Sequence, residues 1–163
     1  MAKQPRQKGK RQGNFVRRNV RAGEKSREKL TEPTVCPQCG LLYRNGRWVM
    51  EPGPAQCNEQ LCPACVKANN EDPAGIITLT GDFLTKHENE IINLVENVES
   101  RGRMEHPLAR IIETESSAES MVITTTDTHL ARAIGAAIHD AYDGEIDYQH
   151  TDDPDFVRIT WQR

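Results

Sequence analysis

Two short cysteine pairs, Cys36-Pro37-Gln38-Cys39 and Cys62-Pro63-Ala64-Cys65, stand 22 residues apart and constrain this chain more than any other feature. Two residues between thiols let both sulfurs of a pair face one point, while the backbone N–H groups of the turn bond back to sulfur. Two such pairs supply the four ligands of a tetrahedral structural zinc site. A catalytic zinc keeps a position open for water and takes three protein ligands, so four thiolates point to structure rather than chemistry. Cys36, Cys39, Cys62 and Cys65 are therefore the expected Zn2+ ligands, and Cys57 is the expected spare thiol.

The competing uses of paired cysteines are disulfides and redox motifs. The opening residues Met1-Ala2-Lys3-Gln4-Pro5 carry no apolar core of a signal peptide, which predicts a cytoplasmic chain. Reduced thiols are the rule there, which removes the disulfide reading. A redox motif is a single pair beside a βαβ pattern, not a duplicated one. No apolar run is long enough to span a bilayer, so no membrane partner is expected.

Charge divides the chain sharply. The net value of −3 conceals eleven Lys and Arg against two acids in residues 1–30, and ten against twenty-two in the remainder. The first segment holds Lys8, Lys10, Arg11, Arg17, Arg18 and Arg21, with Phe15, Val16, Val20 and Leu30 as its sizeable apolar residues. So little apolar surface cannot offset the entropy of ordering, which predicts a disordered basic tail over residues 1–33. Arms of this kind bind nucleic acid by releasing counterions from phosphates. The other readings are a tail folded onto the chain's own acidic part and a tail that only solubilises.

Between the cysteine pairs, Asn45-Gly46 is a strong two-residue hairpin signal set between Leu41-Leu42-Tyr43-Arg44 and Arg47-Trp48-Val49-Met50. The layout over residues 34–70 is a zinc ribbon: a cysteine turn, a hairpin, a Pro/Gly loop and a second cysteine turn. Arg44, Arg47 and Trp48 make a basic and aromatic group that could grip phosphate or stack on bases. Trp48 could equally cover the small core beside the metal.

From residue 74 the periodicity changes. Ile76–Thr80 reads as a strand. Helical spacing then runs from Phe83 to Gly102. Leu108–Thr114 and Met121–Thr125 read as β-branched strands, Asp127 caps a helix stopped by Gly144, and Glu145–His150 with Phe156–Trp161 make a last hairpin. This β-α-β-β-α-β order with one extra strand predicts an α+β chain: the ribbon, then a ferredoxin-like split βαβ antiparallel sheet with two helices over residues 74–163. RNA-recognition domains share that order, but their sheets show aromatics where these strands offer Thr78, Glu113, Glu115, Thr124, Glu145 and Asp147.

No catalytic set emerges. The histidines 87, 106, 129, 139 and 150 are scattered, the glycines sit in turns, and no hydrolase, zincin or kinase signature occurs. The chain reads as non-enzymatic.

The segment Cys36-Pro37-Gln38-Cys39-Gly40, the Gly46-Arg47-Trp48 turn and Cys62-Pro63-Ala64-Cys65 resemble the N-terminal part of the ribosomal large-subunit export adaptor family of archaea and eukaryotes. Residues 123–132, continuing to Tyr142-Asp143-Gly144, look like that family's segment after its zinc module. Small bacterial zinc-ribbon proteins have the same plan. The resemblance covers residues 34–163 and implies ribosome association, with ribosomal RNA and ribosomal proteins as partners. The family typically carries two zinc modules, where this chain shows one, so export itself is not implied. The expected function is binding of structured RNA through the tail and Arg44, Arg47 and Trp48, as an assembly or translation-related factor. The alternative is a protein–protein adaptor whose basic tail contacts an acidic partner.

Overall fold

The structure, a computed structural model, describes residues 30–163, the side chain of His150 excepted. Lys8, Lys10, Arg11, Arg17, Arg18 and Arg21, and the disorder expected of residues 1–29, lie outside the described residues; residues 30–33, expected in the same disordered tail, are instead held in place, Leu30 against the cysteine core and Glu32 on the hairpin turn.

The cysteine-bearing segment folds as β1 (Thr34–Val35), β2 (Leu42–Arg44), β3 (Arg47–Val49), β4 (Asn58–Glu59) and helix α1 (Pro63–Asn69). Its small sheet has the order β3-β2-β1-β4, with β1 antiparallel to β2 and parallel to β4. The hairpin β2–β3 forms on the expected turn: Arg44 faces Arg47, and Asn45 (φ 53°) and Gly46 (φ 75°) take the left-handed conformations a two-residue turn needs. The Glu32 carboxylate clamps that turn, accepting from Asn45 N–H and Gly46 N–H at 2.8 Å each.

The second sheet comprises β5 (Gly75–Thr80), β6 (Ile111–Ser116), β7 (Ser120–Thr125), β8 (Glu145–His150) and β9 (Val157–Gln162), with helices α2 (Asp82–Glu105) and α3 (Thr128–Tyr142). The order is β6-β7-β5-β9-β8. Alternation decides the faces: Ile77 and Leu79, Met121 and Ile123, and Val157, Ile159 and Trp161 are buried in one core with Leu84, Ile91, Val95, Ile134 and Ile138 of the helices. Each such side chain contributes on the order of 1.5–3 kcal/mol of burial, so this core dominates the stability of the chain. Gly75 permits a close approach of sheet and helix, since a Cβ there would collide with the Cβ of Ala131.

The α+β class stands, as do both helices and all five strands of this part. One pairing departs from the antiparallel expectation. The last hairpin inserts with β9 inside and β8 at the edge, so β9 runs parallel to β5, with Ile77 opposite Ile159. The physical reason is burial. β9 brings Val157, Ile159 and Trp161, all at most 1% exposed, to the centre, whereas β8 alternates half-buried Ile146 and Tyr148 with exposed Glu145, Asp147 and Gln149. Strand β6 also starts three residues later than expected, because Leu108, Ala109 and Arg110 serve another purpose. Among the described residues, no helix is long and apolar enough to cross a membrane.

Candidate metal centre

Each cysteine is placed by its own local structure. Around the first pair, Cys36 N–H donates to Leu41 O and Gly40 N–H to Cys36 O, both at 2.8 Å, closing a turn that aims Cys36 and Cys39 inward. The second pair opens a helix rather than a second turn: Cys62 is the N-cap of α1, Pro63 fills the first position, and Cys65 N–H donates to Cys62 Sγ at 3.4 Å. Across the site, Cys62 N–H donates to Cys36 Sγ at 3.3 Å.

The four sulfurs all lie within 4.8 Å of one another. Cys36 Sγ is 3.7 Å from Cys65 Sγ, and Cys39 Sγ is 3.6 Å from Cys62 Sγ. A disulfide would need about 2.05 Å. A tetrahedron with bonds of about 2.3 Å from centre to sulfur has edges of about 3.8 Å, so the spacing fits a tetrathiolate metal ion. Four close cysteines can thus hold a metal here, and Cys57 stands outside the group.

Electrostatics favours a cation at the centre. Burial raises the Cys36 thiol, but the N–H groups of Cys62, Cys39 and Gln38 outweigh it and bring it down to about 6. Burial, opposed by the Cys65 N–H and reinforced by the Cys39 and Cys65 thiols, pushes Cys62 up to about 12. Burial also raises Cys65. Burial thus works against thiolates at Cys62 and Cys65, where a positive charge at the centre would favour them. A divalent ion supplies that charge, and its binding expels the remaining protons.

Part of the charge comes from a residue that sequence reasoning missed. Arg110 donates one guanidinium N–H group to Cys65 Sγ at 3.0 Å and to Cys62 Sγ at 3.4 Å. Burial works against the arginine's charge, yet the Cys65 sulfur outweighs it and raises the pKa. Thr126 holds this segment in place: its backbone N–H donates to Arg110 O at 2.8 Å, and its hydroxyl accepts from Arg110 N–H at 2.9 Å and donates to Leu108 O at 2.7 Å. Three consecutive residues then serve three surroundings. Leu108 packs against the cysteine core, Ala109 is buried in the large core, and Arg110 meets the sulfurs. Lys67 of α1 completes the join by donating to Thr126 O at 3.1 Å. No local signal marks these residues, because their partners are 45 and 59 positions away in sequence. We expect Arg110→Met to lower metal affinity about 10- to 100-fold in a competition with a chromophoric chelator, while Arg110→Lys, which keeps the charge but not the fork, falls between.

The hairpin residues divide. Arg44 and Arg47 are exposed at its tip, Arg44 lying 3.7 Å from Glu51. Trp48 corrects the expectation of a base-stacking ring. It is 8% exposed, packs in the cysteine core, and lies 5.4 Å from Tyr43 between ring centres. A small module has few apolar groups with which to build a core, and its largest one is used beside the cysteines. Comparison with protein-family models, with curated proteins and with solved structures finds no match to this chain.

Proposed function

We propose that the chain is a non-enzymatic zinc protein that binds structured RNA, with ribosomal RNA and ribosomal proteins as its partners in the cytoplasm. Zinc is the ion favoured by a closed set of four thiolates with a helix start and an arginine around it. The observation that carries RNA binding is the hairpin register. Arg44 lies directly across from Arg47 at an exposed tip whose base is tied to the metal site. Like charges facing each other across a hairpin cost about 0.2–1 kcal/mol; Glu51 beside Arg44 and the Glu32 carboxylate on the turn offset part of it, and a phosphate seated between the two arginines would relieve the rest. The tail, with its eleven cations, supplies the longer-range attraction, and the resemblance to the export adaptor family makes the ribosome the first place to look.

Polysome profiles at low and high salt test this reading. The protein should migrate with ribosomal subunits at low salt and leave them at high salt. Migration in the free pool at low salt would sink the proposal. With about five phosphates engaged, the log–log salt slope of RNA affinity is about −4 to −5, and Arg44→Glu with Arg47→Glu should flatten it by about 2 while leaving bound metal unchanged.

A further inference from the structure

Strand β6 is one edge of the larger sheet, and its outer side is open. Ser117 N–H donates to Ser120 O at 2.8 Å, which fixes the alternation of the β6–β7 ladder. The N–H and C=O groups of Thr114 and Ser116 therefore point away from β7, and they have no partner among the described residues. The open stretch begins after Ile111, whose N–H is taken by the Glu99 carboxylate at 2.9 Å. Beside this edge, helix α2 and β6 enclose a groove of about 360 Å³. Half-buried Ile92 and Ile111 line it together with buried Met121 and Ile123, Glu96 stands on the helix side, and no Lys or Arg contributes. Alternation along β6 sets Thr114 and Ser116 on the groove side and the exposed Glu113 and Glu115 on the other face of the sheet.

We propose that β6 receives an extended segment of a protein partner in which apolar residues alternate with Lys or Arg. The segment adds to the sheet at this edge, its main chain bonded to Thr114 and Ser116. Its apolar side chains turn to the groove and its basic ones to Glu113 and Glu115. Each part of the surface selects one feature of the partner. Free peptide groups select an extended backbone, the groove selects an apolar residue at every second position, and the acids select positive charge between them. A second copy of this chain is disfavoured, because β6 against β6 would bring Glu113 and Glu115 of both copies together. The acids thus guard the edge against self-pairing and leave it open to a strand of opposite sign. They also repel phosphate, so the occupant is a protein and not RNA. Over residues 31–163, ten Lys and Arg stand against twenty-two acids, which draws a basic segment in from a distance. The proposal does not rest on the RNA reading.

The probe is a capped peptide of about eight residues alternating valine and lysine, titrated into the full-length, metal-loaded, nucleic-acid-free protein. Before addition, the amide protons of Thr114 and Ser116 should exchange rapidly with solvent, and saturation with peptide should slow them by about tenfold or more. Amide shifts should concentrate in residues 92–99 and 111–116. A peptide of the same composition with its lysines in one block should bind about tenfold more weakly, as should the alternating peptide N-methylated on its hydrogen-bonding edge. Glu113→Lys with Glu115→Lys should weaken binding by about the same factor while the Trp161 indole resonance shows the fold intact. Equal affinity for the alternating and block peptides would reduce the edge to a general acidic surface and overturn the proposal. Shifts centred elsewhere, or none at any soluble peptide concentration, would overturn it too. So would Thr114 and Ser116 amides already protected without peptide: protection that rises with protein concentration assigns the edge to a second copy, and protection that does not assigns it to another segment of this chain.

Discussion

Replacing Cys62 with serine is expected to release the metal and unfold residues 34–70 while leaving the five-stranded sheet and its helices folded. Cys62 has no exposed surface, caps α1, accepts hydrogen bonds from Cys65 N–H and Arg110, and lies 3.6 Å from Cys39 Sγ. Little else holds the module together. Its core comprises Leu41, Trp48 and Ala64 beside three of the cysteines, and its four strands are two or three residues long. That is too small a core to fold without a staple. Binding of a structural metal by such modules is worth on the order of 10–16 kcal/mol, and most of it is folding free energy. The indole resonance of Trp48 should therefore collapse to its unfolded position while that of Trp161 stays put. A chelator acting on the wild-type chain should do the same, more readily at acid pH, because each sulfur must lose a proton before it can bind.

Trp161→Ala should produce the opposite pattern, destabilising the larger part by about 3–5 kcal/mol while metal stays bound to a chain kept below its new melting point. Trp161 is 1% exposed, stands edge-on to Phe83 with ring centres 6.2 Å apart, and donates its indole N–H to Asp143 O at 2.7 Å. Truncation removes that bond and opens a cavity at the end of the sheet where α3 stops. In a domain of this size the melting temperature should fall by about 15 °C or more, as read by the far-UV helix signal. Trp161→Phe keeps a ring against Phe83 and should cost less than half as much. Those two outcomes together would separate the chain into a part stabilised by metal and a part stabilised by burial.

Much of this organisation is legible in residue order, where the governing interactions are local. Asn45-Gly46 fixed the hairpin because few residue pairs accept two left-handed conformations in a row. Asp127 marked the start of α3 because its side chain caps the Leu130 N–H at 3.0 Å, three residues on. The cysteine pairs announced the cluster of four sulfurs through spacing alone. What could not be read was long-range. The inward position of β9 depends on which strand of the last hairpin buries more apolar surface, a comparison that spacing does not make. Arg110 looked like one residue of a β-branched run, and its role exists because Thr126 folds that run back onto sulfurs distant in sequence. Trp48 was ambiguous for a related reason: aromatic character is the same in a core as at a stacking surface, and only the number of neighbours separates them.

Cys36, Cys39, Cys62 and Cys65 are proposed to hold one structural zinc ion, to which the hairpin bearing Arg44 and Arg47 would be anchored. X-ray absorption at the zinc edge, combined with metal analysis of the purified chain, tests it most directly. We expect one zinc per chain with four sulfur neighbours at about 2.3 Å, unchanged by Cys57→Ser. A nitrogen or oxygen atom in that shell, loss of a sulfur neighbour on replacing Cys57, or a folded chain containing no metal would contradict it.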